Sequence, residues 1–374
     1  MSLVAFIYSE KFDKYTYGET HPLKMIRLKL TYELIKSYDL LKSPNISFIE
    51  SELAKEEDIL FFHTKEYIKA LKRIDKGDYP TNSSQFGLGY GDNPIVNGIY
   101  EGSLLSSGSS IQAARLIVDG KAKIAFNIAG GLHHAMTDRA SGFCYINDPV
   151  LAIKELLKKY KKIAYIDIDA HHGDGVQYAF YDTDKVLTIS LHETGTFLFP
   201  GTGFSEEIGT GKGKGFSVNL PFYPGTDDET FVWGFNEIVP ALIDAYKPDA
   251  IVAQLGVDTM STDPLTHLEL TTNGFCEMVK KIREFNLPLA ALGGGGYNVA
   301  NVARCWTLAL GIFAGIELSD TIPENKIRLL KEHGYEGKGL RDNKIKGKMD
   351  ESIQKMAEDG INYIKRNIFP LHNI

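Results

Sequence analysis

Apolar positions in this chain fall into short continuous runs separated by longer stretches with helical spacing. Val4–Tyr8 is such a run and predicts a buried strand; after His21-Pro22, the residues Leu23, Ile26, Leu30 and Leu34 form a helical stripe that also carries Arg27. Residues 103–118 read as a helix closed by Gly120, and residues 123–128 as a buried strand. Asp148-Pro149 places an N-cap before a proline at the first helical position, which predicts a helix through Tyr160. Further strands are predicted at residues 163–168, 185–191, 216–220, 250–256 and 289–292. Between them, Thr226-Asp227-Asp228-Glu229 has capping-box spacing and opens a helix toward Tyr246, while residues 272–285 and 302–316 are helical. Strands alternating with helices predict an α/β fold with a parallel sheet, which binds ligands beyond the carboxyl ends of its strands.

Composition narrows the picture only a little. With 43% hydrophobic and 24% charged residues over 374 positions, the chain is expected to fold as a soluble protein. No Pro/Ser-rich linker or internal repeat divides it. Residues 321–374 are richer in charge and are expected to form a helical extension, with a helix near 352–366, packed on the same domain as residues 1–320. A net charge of −7 gives no basic footprint for phosphates, so no direct nucleic-acid ligand is expected. Cys144, Cys276 and Cys305 are odd in number and lack metal-site spacing, which suits a reducing compartment. Leu3 to Ile7 is too short for a signal segment, and the longest uncharged stretch, residues 285–303, contains Pro288 and four glycines. A cytoplasmic protein that does not contact a membrane is expected.

The chemistry concentrates where apolar runs end. Residues 163–174 read I-A-Y-I-D-I-D-A-H-H-G-D: a strand with Asp167, Asp169 and His171 at period two, hence on one face at spacings of roughly 6.6 Å. Carboxylates are rarely buried unless paired or bound to a metal, and a divalent cation would reconcile these two with an apolar core strand. Three other candidate strands end in His133-His134, Asp258 and Gly293 to Tyr297, and one crevice could collect all four endings. Rival motifs fall away. The run 209–215 lacks the spacing of a phosphate-binding loop, Asn298 stands where a dinucleotide fingerprint needs glycine, and no G-x-S-x-G elbow is present. Cys144 lies among apolar residues and reads as a structural thiol.

Taken together, G-G-L-H-H (130–134), G-F-C-Y-I-N-D (142–148), D-I-D-A-H-H-G-D-G (167–175), F-P-G-T-G (199–203) and G-G-G-G-Y (293–297) resemble the histone deacetylase family. The resemblance is to its class I branch and to the bacterial histone-deacetylase-like and acetoin-utilisation proteins, and it spans about residues 6–316. It implies the arginase/deacetylase fold, a single α/β domain with an eight-stranded parallel sheet flanked by helices. It also implies one catalytic Zn²⁺, replaced by Fe²⁺ in some members. On this basis Asp169, His171 and Asp258 are the metal ligands. His133 and His134 flank a water on the metal, oriented by Asp167 and Asp174 respectively; His134 acts as base and then acid while His133 is chiefly electrostatic. Tyr297 donates to the oxyanion.

The same resemblance makes Phe143 and Phe199 the walls around an acyl-lysine stem, with Gly142 at the inner end, Asp92 as the rim carboxylate and Leu265 at the mouth. Arg27 matches the arginine beside an acetate-release cavity. A structural K⁺ is implied at Asp167, Asp169, His171, Ser190 and Leu191, and a second monovalent cation near Phe180, Thr183 and Val186. Phe216 and Val257 stand where many relatives carry Tyr and Ala. The expected function is zinc-dependent hydrolysis of N-ε-acyl-lysine amides in proteins or peptides. The alternative is hydrolysis of small acylated amines such as acetylpolyamines. A binuclear manganese hydrolase would need His134 as a ligand, and an inactive binding module would not be expected to fill every catalytic position.

Overall fold

Eight strands pair side by side among the described residues, each parallel to its neighbours: β1 (Val4–Tyr8), β2 (Ile46–Glu50), β3 (Ile124–Asn127), β4 (Ile163–Asp167), β5 (Val186–Glu193), β6 (Ser217–Phe222), β7 (Ala250–Gln254) and β8 (Leu289–Leu292). The computed structural model describes residues 4–78, 82–89, 91–343 and 350–374. Across the sheet the order is β2-β1-β3-β8-β7-β4-β5-β6. The helices are α1 (Ile26–Ser37), α2 (Glu56–Ile59), α3 (Lys65–Asp75), α4 (Ile99–Val118), α5 (Asp148–Leu156), α6 (Asp174–Phe180), α7 (Asp228–Tyr246), α8 (Thr272–Glu284), α9 (Val299–Ala314), α10 (Glu324–Glu332) and α11 (Glu351–Asn367).

Side-chain alternation explains why the strands read as unbroken apolar runs. Ala164 and Ile166 face one core with α1, α7, α8 and α9, whereas Ile163 and Tyr165 face a second core with α4, α5 and α6. Ile251 and Ala253 against Ala250 and Val252 repeat the division on β7. Helices cover both faces, as parallel crossovers require, so both alternating sets are apolar.

Where boundaries differ from the sequence reading, local hydrogen bonds give the reason. Asn147, not Asp148, caps α5, accepting from the Val150 N–H, and the carboxylate of Asp148 is occupied elsewhere. Asp227 rather than Thr226 caps α7 through the Thr230 N–H. Helix α9 starts at Val299 because Asn298 accepts from the Asn301 N–H. Strand β2 was not foreseen: it lies at the sheet edge and only Ile46 of its five residues is buried, so no apolar run marks it. Beyond residue 320, Ile361 and Ile364 of α11 join the main core, α11 packs on β6 and α7, and His372 Nε2 lies 2.7 Å from the Gly215 carbonyl. Residues 344–349 of the charged C-terminal segment, and 79–81 and 90 of the long loop before α4, fall outside the described residues. No described helix is long and apolar enough to cross a membrane.

The strands with chemically suggestive endings, β3, β8, β7 and β4, are contiguous at the centre of the sheet. The loop between β3 and α5 is braced from below: His63 Nε2 accepts from the Asn147 N–H (3.0 Å), and Asn147 Nδ2 donates to the carbonyls of His133 and Ala135.

Burial pushes His63 down to about 4. An unfolded histidine titrates near 6.5, so the unfolded state binds the extra proton first as pH falls. The stability held by neutral His63 is fully present above about pH 6.5 and is lost toward pH 4, by up to about 3 kcal/mol. Urea midpoints of the wild type should therefore fall more steeply between these pH values than those of His63→Gln; parallel curves would contradict this.

Candidate active site

Only Asp167 lies on β4; past it the chain turns by a run of local bonds. The Asp169 N–H donates to Asp167 Oδ1 (3.1 Å) and the His171 N–H to Asp169 Oδ1 (3.0 Å), so each carboxylate accepts from the backbone two residues on. The turn delivers Asp169 and His171 to Asp258, which follows β7. His171 Nδ1 sits 2.9 Å from Asp258 Oδ2 and 3.1 Å from Asp169 Oδ1, and all candidate ligand atoms lie within 4.8 Å of one another. Asp169 and Asp258 are buried. Burial and the negative charge of Asp169 push Asp258 up to about 7. Burial opposes the charge on Asp169, yet His133 and His171 hold it well below the usual carboxylate range. Two carboxylates and an imidazole at this spacing suit a divalent cation.

Beside the triad stand the two histidines from the loop after β3. His133 Nδ1 meets Asp167 Oδ2 at 2.8 Å, His134 Nδ1 meets Asp174 Oδ1 at 2.7 Å, and the two Nε2 atoms are 3.0 Å apart. The rings are alike but their charges differ. Burial opposes protonation of His133, but Asp167 and Asp169 outweigh it and raise it to about 9. Burial and the neighbouring His133 lower His134 to about 4. The two rings are thus biased in opposite directions, His133 toward the cation and His134 toward the neutral base.

Aromatic rings pack beside the histidines. Gly142 (φ 49°) and Phe143 (φ 68°) are the central residues of a two-residue turn closed by a Ser141–Cys144 bridge. Positive φ at both centres is the type I′ arrangement, easy for glycine and strained for phenylalanine. A Cβ on Gly142 would lie 2.5 Å from the His134 ring and 2.7 Å from Phe199, so the turn also requires the missing side chain. Phe143 packs edge-on against Tyr297 (5.6 Å between ring centroids) and His21, while Phe199 packs edge-on against His134 at 5.0 Å. Burial, then Asp258 and Asp169, raise the Tyr297 hydroxyl far above its ordinary range, so it stays protonated.

Arg27, buried over Trp306, donates from Nη1 to the carbonyls of Gly294 (2.9 Å) and Gly296 (3.0 Å) and lines a cavity of about 30 Å³ with Tyr15, Tyr17 and Ser103. Asp92 is exposed, its carbonyl 3.2 Å from His21 Nε2; Leu265 is half-buried. Ser190 pairs with Asp167 in the β4–β5 register and Leu191 follows it, while Phe180, Thr183 and Val186 bracket the turn from α6 into β5. Cys144 is buried, its Sγ 3.3 Å from the Gly142 carbonyl, and burial raises its thiol well above its ordinary value, as suits a structural residue.

Several supporting groups escaped the sequence reading. Gln254 Nε2 donates to Asp169 Oδ2 (2.6 Å) while its Oε1 accepts from the Gly256 N–H. Its one signal is a polar residue among the apolar ones of residues 250–256. Asp148 accepts from the N–H groups of Gly131 and Leu132 and from Ser110, pinning the loop that carries both histidines.

An all-parallel α/β protein that gathers an Asp-His-Asp group able to hold a cation and two carboxylate-backed histidines at its central strand ends is the class these observations define. A family profile described as "Histone deacetylase domain" matches residues 21–313, and the chain belongs to the histone deacetylase family. It is 41% identical over 326 residues to "Histone deacetylase 19" of Arabidopsis thaliana, covering 86% of this chain and 64% of that protein. It is equally identical over 325 residues to "Histone deacetylase 1" of Homo sapiens, covering 86% of this chain and 67% of the relative. The chain thus spans about two-thirds of the length of these relatives. The crystal structure of an HDAC homolog from Aquifex aeolicus superimposes with a TM-score of 0.88 at 35% identity, covering 96% of this chain and 99% of that one. An HDAC homolog complexed with SAHA gives 0.89 at 34% identity, covering 96% and 100%. The fold is the arginase/deacetylase fold expected from the motifs.

Gln254→Leu keeps the volume but leaves Asp169 with one donor fewer. Loss of a hydrogen bond to a buried charge should cost about 1.5–3 kcal/mol in chemical denaturation with a chelator present. An unchanged midpoint would show that Gln254 does not support Asp169.

Proposed function

We propose that this chain is a metal-dependent hydrolase that removes acyl groups from the side-chain nitrogen of lysine in proteins or peptides. The observation that carries the reading is the junction of the two sites: two adjacent histidines, each backed by its own carboxylate, beside the buried triad Asp169, His171 and Asp258. The triad fits a divalent cation, because His133 and His171 cannot balance the three buried carboxylates Asp167, Asp169 and Asp258, and Asp258 is driven toward neutrality without further positive charge. Zn²⁺, or Fe²⁺ in its place, would be held by these three residues. Such a cation would polarise the amide carbonyl and acidify a water for attack near neutral pH.

The chain's own groups divide the remaining work. His134, neutral and oriented by Asp174, takes the proton of the attacking water at Nε2 and delivers it to the departing lysine nitrogen. His133, kept cationic by Asp167, stabilises the negative charge that develops beside it. Tyr297, still protonated, donates its hydroxyl to the oxyanion. Phe143 and Phe199 enclose the aliphatic stem and exclude water, with Gly142 leaving space between them. Asp92 holds the substrate backbone at the rim, and Arg27 attracts the released carboxylate in the cavity below. Asp167, Asp169, His171, Ser190 and Leu191 would hold a structural K⁺, with a second monovalent cation at Phe180, Thr183 and Val186.

Leu265 favours lysine over polyamines, since an apolar residue at the mouth offers nothing to a distant ammonium. A desolvated carboxylate there would contribute about 1.5–3 kcal/mol, or roughly tenfold to over a hundredfold in discrimination. The test compares kcat/KM for an acetyl-lysine peptide and for acetylspermidine in the wild type, Leu265→Glu and Asp92→Ala. The wild type should prefer the peptide, Leu265→Glu should narrow or reverse that preference, and Asp92→Ala should weaken the peptide more than the small amide. A wild type that prefers the polyamine by about tenfold or more, beyond one full step of 1.4 kcal/mol, would overturn the lysine reading.

A further inference from the structure

Tyr297 ends a run of four glycines, Gly293 to Gly296, whose backbone has no side chains to fix it. Gly294 (φ 152°) and Gly296 (φ 135°) adopt conformations open to few other residues, so the path of the run depends on outside anchors. Arg27 holds the carbonyls of Gly294 and Gly296, and Asp169 Oδ2 accepts from the Gly295 N–H at 2.7 Å. The tyrosine itself is held by a residue that no motif marks. Asp263 Oδ2 accepts from the backbone N–H of Tyr297 at 2.8 Å and, more weakly, from that of Asn298 at 3.4 Å.

Asp263 is only 8% exposed, and burial raises its carboxyl to about 6. Taking a carboxylate out of water is costly unless hydrogen bonds compensate it, and here the backbone N–H groups of Leu265, Tyr297 and Asn298 do so. Its orientation is set locally. Oδ1 accepts from the Leu265 N–H at 3.0 Å and its own N–H donates to the Met260 carbonyl at 2.8 Å. The loop is docked on the start of α9 by the bond from Asn301 Nδ2 to Thr262 Oγ1, 2.8 Å. A carboxylate fixed in this way can determine where the Tyr297 backbone lies, and through it the reach of the hydroxyl.

We propose that Asp263 is a positioning residue for Tyr297: it places the phenol for transition-state stabilisation while touching neither substrate nor metal. The proposal rests on the role assigned to Tyr297 above. A displacement of about 1 Å at a catalytic group can cost on the order of a hundredfold, and loss of an oxyanion donor about 10²–10³ in kcat. Asp263→Asn removes half of the acceptor cradle with little change of shape. Asp263→Glu keeps the charge and shifts it by one methylene.

The experiment is a double-mutant cycle on an acetyl-lysine peptide with wild type, Asp263→Asn, Tyr297→Phe and the double variant. Bound divalent metal and the thermal transition are recorded for each, and Asp263→Glu is measured alongside. Asp263→Asn and Asp263→Glu should each lower kcat about tenfold or more, with KM within about threefold and metal content unchanged. In the Tyr297→Phe background, Asp263→Asn should cost less than about threefold, because the group it positions is gone. Losses that multiply in the double variant, or an Asp263→Asn protein with wild-type kcat, would overturn the proposal. Loss of metal or of the cooperative transition in both Asp263 variants would also overturn it, making the residue a structural prop. If Tyr297→Phe alone retains wild-type kcat, the role given to Tyr297 fails first. If it loses kcat and the cycle is multiplicative, only the role of Asp263 fails.

Discussion

Asp167, Asp169 and Asp258 meet at the centre of a sheet buried on both faces, and each is almost wholly removed from water. Each desolvated carboxylate costs several kcal/mol unless positive charge and hydrogen bonds compensate it. The surrounding groups are arranged to do so. Asp167 receives the Tyr165 hydroxyl at 2.6 Å together with His133, Asp169 receives Gln254 Nε2 and the Gly295 N–H, and Asp258 receives the Ala170 N–H at 2.9 Å. Against the three carboxylates Asp167, Asp169 and Asp258 the protein sets only His133 and His171, and a divalent cation would supply the missing positive charge.

The same constraint dictates shape. Backbone donors reach the carboxylates only where no side chain intervenes. A Cβ on Gly295 would fall 2.0 Å from Asp258 Oδ2, and one on Gly256 would fall 2.2 Å from Asp169 Oδ2. Compensation of charge therefore selects the glycine-rich loops, and those loops leave Tyr297 dependent on groups outside the run. The opposite titration of His133 and His134 follows from the same source. His133 faces two of the carboxylates, whereas His134 faces Asp174 and a charged neighbour.

Much of this was legible from residue order. The apolar runs located seven of the eight strands, since a strand buried on both faces cannot hide its composition. Edge strand β2, with Phe48 and Glu50 outside the core, could not be read that way. Helix α3 was missed although Tyr67, Ile68, Leu71 and Ile74 form an apolar stripe opposite a charged face, the pattern of an amphipathic helix. Polar residues at the ends of apolar strands marked Asp167, Asp169, His171, Asp258 and the histidine pair, and the choice of Asp169, His171 and Asp258 as the cation ligands came with the family resemblance. Gln254, Asn147, Asp148 and Asp263 act by hydrogen bonds to distant backbone, for which residue type and spacing carry almost no signal. Cap positions slipped by one residue at Asn147 and Asp227 because two eligible side chains stand next to each other.

The account stands on the cation that the buried carboxylates require. Asp258 lies about ninety positions after the other two candidate ligands, on a separate strand end, so its removal should spare the sheet. The direct measurement is Zn²⁺ content and affinity, by elemental analysis and competition with a chelator, for the wild type and Asp258→Ala, with a thermal melt of each. The wild type should hold one ion and gain stability from it, while Asp258→Ala should fold, bind the ion far more weakly and lose activity by several orders of magnitude. An Asp258→Ala protein that keeps one tightly bound ion and its activity would contradict the account at its centre.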